Sequence, residues 1–221
     1  MTSKELTRPV RVAVRPLTEC DWDVVERLFG TNGACGGCWC MYWRLPRGGR
    51  LWEQNKGAPN KRALKKLLFA GRVLGCLAFA GDEPVGWCCL GPRADFPRLE
   101  RTKALQTAWT QDTWSVVCFF VRSGWRHRGV ASALLKKAVA VAREGGAQVL
   151  EGYPVRPSTS RGEIPGAFAW TGVEPLFEKH GFKSIPGPSS NRAVFVRRFR
   201  AMPKKRSTKG ARDSKGRTGD T

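Results

Sequence analysis

Residues 10–15, Val-Arg-Val-Ala-Val-Arg, alternate strictly, which is the period of a strand with one covered face. Thr18 then stands where a helix N-cap would, with Asp21 three residues on. Trp22, Val25, Leu28 and Phe29 recur at helical spacing until Gly30 ends the run. Residues 30–49 carry neither period and read as a loop. A second helix is expected from Asn60 as its cap, with Leu64, Leu67 and Leu68 inward, Lys61, Arg62, Lys65 and Lys66 on another face, and Gly71 past its end. The runs 73–80 and 85–90 flank Gly81-Asp82-Glu83-Pro84, the pattern of a hairpin closed by a four-residue turn. After a polar connection, 114–121 is a strongly apolar strand. It leads through a glycine-bearing turn into an amphipathic helix over 129–144, with Val130, Leu134, Ala138 and Val141 as its stripe. A strand over 149–155, a long loop to about residue 170, a short helix opened by the capping box Thr171-x-x-Glu174, and strands at 182–185 and 193–199 complete the chain.

This order, β-α-α-β-β-β-α-β-α-β-β, predicts one α/β (mixed α+β) domain over residues 9–200. A short extension at 1–8 precedes it and a basic tail at 201–221 follows. Over 203–221 the tail has seven Lys/Arg against two Asp and no apolar pattern, so it is expected to be disordered. The net charge of +21 is therefore mostly on the folded part. It points to an anionic partner and opens nucleic acid as one, through the tail. No apolar run nears the eighteen or more residues of a membrane helix, and the N-terminus lacks the apolar core of a secretory signal. A cytoplasmic protein without membrane partners is expected, with its eight cysteines read as thiols.

The chemistry concentrates in Phe119-Phe-Val-Arg-Ser-Gly-Trp-Arg-His-Arg-Gly-Val-Ala131. A strand ends, a turn follows, and a helix opens at Gly129, whose first amides point outward with the positive end of the dipole. That end binds phosphate, with Arg126, His127 and Arg128 adding charge and Ala131 keeping the approach clear. Arg126-x-x-Gly129-x-Ala131 is by itself a weak pattern. Its setting, between an apolar strand and an amphipathic helix and followed by Leu176-Phe-Glu-Lys-His-Gly-Phe182, is specific.

On these residues the chain resembles the GNAT superfamily of N-acetyltransferases, and its 30–49 segment resembles that of bacterial members with a cysteine- and tryptophan-rich loop at this place. The resemblance implies a central, mostly antiparallel mixed sheet with helices on both faces, and acetyl-CoA as cosubstrate. It further implies that backbone groups of Phe119 and Val121 pair with the pantetheine arm, and that amides from His127 through Gly129, Val130 and Ala131 to Ser132 hold the pyrophosphate beside Arg126 and Arg128. An N–H near Phe119 or Phe120 would polarise the thioester carbonyl. Family members commonly use a tyrosine as the acid for the departing thiolate. Here that position is Phe177, which cannot donate.

Direct attack by a primary amine also needs the amine neutral. Glu151 and Tyr153 leave one face of a strand and offer a base and an acid if that face is the cleft; otherwise they are a solvated carboxylate and a packed ring. His127 belongs with the phosphates, and His180 reads as a helix cap. Cys35, Cys38 and Cys40 supply three nearby sulfurs, short of a structural zinc set unless Cys20, Cys88 or Cys89 joins them; no metal is expected. Topology instead makes Cys38, Trp39, Tyr42 and Trp43 part of an acceptor pocket, or a core plug without a ligand. Residues 44–72 hold nine Lys/Arg and one Glu on that side. This disfavours polycationic acceptors and favours a small-molecule or peptide amine carrying acidic groups, unless the charge is merely solvated. A nucleic-acid-associated basic protein and a non-catalytic acetyl-CoA sensor on the same fold stand as alternatives. A homodimer is compatible with every reading.

Overall fold

Seven strands form one sheet in the computed structural model, which describes residues 12–46, 50–155, 169–186 and 193–200. The expected extension at 1–8 and tail at 201–221 lie outside these residues. The strands are β1 (Ala13–Pro16), β2 (Leu74–Ala80), β3 (Glu83–Pro92), β4 (Thr113–Val121), β5 (Val149–Gly152), β6 (Lys183–Ile185) and β7 (Val194–Arg198). They lie in the order β1-β2-β3-β4-β5-β7-β6. β4 and β5 run parallel and the other neighbours antiparallel. The helices are α1 (Trp22–Phe29), α2 (Arg50–Asn55), α3 (Ala58–Phe69), α4 (Pro97–Arg101), α5 (Val130–Glu144) and α6 (Glu174–Lys179). The expected mixed fold, helices on both faces of a mostly antiparallel sheet, is what the chain adopts.

Because strand side chains alternate between faces, Leu77, Trp87 and Val117 fall on one side, with Trp22, Leu28 and Leu64 packed over them. Ala78, Leu90 and Val116 fall on the other, under Leu134, Leu135 and Ala138 of α5. Each face thus has its own apolar core. The start of α1 is tied down as expected: the Asp21 carboxylate accepts from the Thr18 N–H at 2.7 Å and from the Thr18 hydroxyl at 2.8 Å. Arg15, donating to both Asp21 oxygens, holds that carboxyl below its ordinary range.

Several local expectations are corrected. Asn60 is inside α3, buried, and donates to the Gly37 carbonyl at 3.2 Å; Gly57 precedes the helix and Pro59 occupies its first turn. The hairpin turn is tighter than four residues, since Ala80 already pairs with Glu83. Val173 caps α6, so the Thr171 capping box does not form. α2 and α4 lie in stretches that carried no readable period.

One irregularity splits the sheet. Across β3 and β4 the register steps from Cys89↔Cys118 to Leu90↔Val116, leaving Val117 as an extra residue of β4. The pairing of β4 with β5 ends one residue earlier, at Val116↔Gly152. A bulge bends its strand and terminates pairing. β4 and β5 therefore part at Val117, and a wedge opens between them.

Candidate active site

Beyond the bulge, β4 has no strand beside it on the β5 side. Its edge there is bonded by single groups. The Trp43 indole N–H donates to the Val117 carbonyl at 3.0 Å, the Phe119 N–H to the Trp170 carbonyl at 2.6 Å, and Arg126 Nε to the Val121 carbonyl at 3.2 Å. The N–H and C=O of one strand residue point the same way and alternate along the strand. Phe119 and Val121 thus share the free edge, whereas Phe120 turns its backbone toward Trp87 of β3. This disagrees with Phe120 as a donor to a thioester oxygen. Its ring, together with Phe119 and Val121, lines a cavity of about 740 Å³.

At one end of the cavity is the start of α5. His127 and Gly129 both adopt left-handed backbone, with φ of 59° and 81°. Glycine takes that conformation without the clash a side chain meets, and a Cβ built on Gly129 would have nothing within 4 Å. The space before the first turn is open. Val130, Ala131 and Ser132 line it, with N–H groups that, like those of any first turn, have no acceptor within the helix. Arg126 and His127 complete this end. Arg128 does not line it; its guanidinium lies 5.6 Å from the Trp125 ring centroid. The arrangement suits an anionic group, since dipole, amides and guanidinium act in the same sense.

The Ser132 hydroxyl is 2.8 Å from His180 Nε2, and His180 caps the C-terminal end of α6. Burial first, then Lys179, Arg197 and Lys136, holds the His180 imidazole below its ordinary value of 6.5. The unfolded chain consequently takes up this proton first as pH falls, so stability is lost below about 6.5 and is full above it. Thermal midpoints measured from pH 8 to 5.5 should decline at the acid end, and less so in His180→Gln. Parallel curves would remove His180 as the source.

At the other end, Cys38 and Tyr42 line the cavity, but Trp39 and Trp43 do not. Left-handed backbone at Ala34, Trp39 and Cys40 (φ 68°, 46° and 54°) folds this loop back on itself. Trp39 is turned into the core, stacked on Trp22 at 5.9 Å and tilted against Phe29 at 5.6 Å. Trp43 is buried behind Tyr42, bonded to the bulge carbonyl. Their places in the wall are taken by Phe29, Trp52, Cys118 and Trp170. The periodicity of α1 marks Phe29 as inward-facing, but no local signal identifies the others.

Glu151 and Tyr153 do share a sheet face, as strand geometry requires, but they do not line the cavity. They are 2% and 0% exposed, and Arg93, 1% exposed, stands between them. Arg93 Nη1 donates to Glu151 Oε2 at 2.5 Å and to the Tyr153 hydroxyl at 2.7 Å. Its Nη2 donates to the Leu105 carbonyl at 3.2 Å, and its Nε to Glu100 at 3.1 Å. The Tyr153 hydroxyl donates to Glu151 at 2.8 Å and lies 2.7 Å from the Ser115 hydroxyl, while Thr107 bonds the other Glu151 oxygen at 2.7 Å. Burial, and then the Glu151 charge, raise the Tyr153 hydroxyl well above its ordinary value. The pair is a saturated buried network at the Ser115↔Glu151 rung, just before β4 and β5 part. It is no acid–base pair facing a substrate. Phe177 is likewise buried, between Phe119, Phe182 and Phe195.

Cys40, Cys76, Cys88 and Cys89 are buried and behave as small apolar residues. Burial raises Cys88 well above the usual thiol range and Cys76 to about 12. The Trp87 indole N–H donates to Cys40 Sγ at 3.3 Å. Among the described residues, no group of three or more His, Cys, Asp or Glu is placed to hold a metal ion. Nor is any helix there long and apolar enough to cross a membrane.

A bulge-split sheet, a cavity along the freed strand edge and a helix start with open amides make up this site. Residues 41–158 match the acetyltransferase (GNAT) family, and the chain belongs to that family; it is an acyltransferase whose chemistry is acetyl transfer. Among solved structures it is similar to a protein from Desulfovibrio desulfuricans assigned to the GNAT family, at 16% identity over 85% of this chain and 99% of that chain, with a TM-score of 0.50. It is equally similar to a protein from Acinetobacter baylyi ADP1 assigned as an acetyltransferase, at 15% identity over 87% and 96%, TM-score 0.50. The PaiA N-acetyltransferase of Thermoplasma acidophilum, in complex with coenzyme A, is 14% identical over 86% and 99%, TM-score 0.49. At such identities the likeness concerns the fold. Comparison with curated protein sequences gives no match.

Proposed function

We propose that the protein transfers the acetyl group of acetyl-CoA to a primary amine by direct attack. The observation that carries this reading is a single cavity running from the open first turn of α5 to the unpaired edge of β4. Acetyl-CoA supplies an acyl carbon activated by a thiolate leaving group. The amides of Val130, Ala131 and Ser132 hold its pyrophosphate, with Arg126 and His127 beside it. The Phe119 C=O and Val121 N–H bind the pantetheine arm as a short added strand would be bound. The Phe119 N–H exchanges the Trp170 carbonyl for the thioester oxygen, where it stabilises the charge that develops; a single such donor contributes about 3–4 kcal/mol to a reaction barrier. Arg93, Glu151 and Tyr153 hold the wedge open and touch no reactant.

Eight free cysteines fit a reducing compartment, and a cytoplasmic setting is part of this reading. Titration calorimetry of the full chain with acetyl-CoA tests it. A single-site isotherm that survives a rise from about 50 to 200 mM salt is expected, whereas a purely electrostatic nucleic-acid binder loses orders of magnitude over that range. Absence of binding by folded protein would sink the proposal.

A further inference from the structure

The acceptor end of the cavity has a definite chemistry. The rings of Phe29, Tyr42, Trp52, Phe120 and Trp170 wall it, with thiols between them, and among the described residues no Asp or Glu lines any part of the cavity. Such a wall takes up a flat apolar body. What stands behind it decides the charge of the amine. The Arg98 guanidinium is stacked on Tyr42 at 3.6 Å, and its Nη1 is buried without a hydrogen-bond partner. Arg44 lies near by on Phe96, with Nε and Nη2 buried and unpartnered; its ion pair with Asp95 is long, at 3.8 Å. The Tyr42 ring, whose π face would otherwise attract an ammonium, is thus already engaged by a cation. The incompletely compensated charge of Arg98 backs the wall at Tyr42, where low polarity strengthens repulsion.

Resting on the proposed acetyl transfer, we infer that the acceptor is an aromatic amine uncharged at neutral pH, of the arylamine class, rather than an alkylammonium. For such an amine the site needs no carboxylate to remove a proton before attack. The nitrogen lone pair forms the C–N bond to the acetyl carbon while the C–S bond breaks. The sulfur leaves with that electron pair and takes up, through water, the proton the nitrogen loses. The products are the N-acetylarylamine and coenzyme A. Glu151, Tyr153 and Phe177, all buried outside the cavity lining, are then not called on as acid or base.

The isomers p-toluidine and benzylamine separate the cases, since they have the same atoms and nearly the same shape but only benzylamine is protonated at pH 7. With the full chain and acetyl-CoA, release of coenzyme A thiol is followed for each, with spermidine as a polycation. A kcat/KM for p-toluidine at least about tenfold above both others is expected, flat between pH 6.5 and 8. Cys35→Asp, which puts a carboxylate at an exposed point of the wall, should shift the benzylamine to p-toluidine ratio upward about tenfold. Benzylamine or spermidine equal to or better than p-toluidine would overturn the inference. So would a protein that acetyl-CoA stabilises against heat yet that transfers nothing to p-toluidine, and in that case the cosubstrate reading stands. If acetyl-CoA produces no stabilisation, both fail together.

Discussion

Gly129→Glu is expected to abolish the thermal stabilisation that acetyl-CoA confers. In the wild-type protein, ligand at about a hundred times its dissociation constant adds about 2.7 kcal/mol, which for a chain of this size is a rise of about 5–10 °C. The substitution acts in two ways. Gly129 has φ 81°, where a side chain costs about 1–2 kcal/mol, so the midpoint without ligand should fall by about 2–8 °C. The new carboxylate then enters the open space before α5 and competes for the amides of Val130, Ala131 and Ser132. An anionic cosubstrate is opposed by charge as well as by bulk. Gly129→Ala separates the two effects, since it carries the strain without the charge and should keep most of the ligand shift. Scanning fluorimetry on the three proteins reads both quantities. A full shift in Gly129→Glu would refute the assignment of α5 as the phosphate cradle.

The second large effect is expected at Arg93. Arg93→Met leaves the Glu151 carboxylate buried beside the Tyr153 hydroxyl with its cation gone. Removing one partner of a buried ion pair costs about 3–5 kcal/mol, because the other charge is left without compensation. At about 2–4 °C per kcal/mol the midpoint should fall by about 6–20 °C. The double variant Arg93→Met/Glu151→Gln should recover a large part, as the stranded charge is removed. A fall of only a degree or two in Arg93→Met would show that the network contributes little. The position of the network adds a consequence for the site. Ser115 and Glu151 form the next-to-last rung joining β4 to β5, so loosening it should blunt the wedge and weaken acetyl-CoA binding even where the protein still folds.

Much of the scaffold was legible in the chain because neighbours in sequence decide it. The alternation of β1, the spacing of Trp22, Val25, Leu28 and Phe29, and the stripe of α5 each follow from which residues share a face within one or two turns. Asn60 and Thr171 misled for a related reason. Both are residue types that favour caps, yet a contact distant in sequence took the Asn60 side chain, and Val173 became the cap of α6.

The amino-acid sequence by itself determined the strand, turn and helix from Phe119 to Ala131, the left-handed Gly129 and the open amides behind it, since a glycine there and a helix start need nothing from the rest of the molecule. Tertiary structure alone decided which aromatic residues face the cavity and which carboxylate stays inside. Trp39 and Tyr42 are three residues apart in one loop, and only the packing of α1 against the sheet sends one to the core and leaves the other in the wall. Arg93 and Glu151 are 58 residues apart, and a buried charge takes whatever partner the closing of the sheet brings within reach. The wedge at Val117 likewise belongs to two strands at once, because a bulge is a mismatch between partners and neither strand carries it alone.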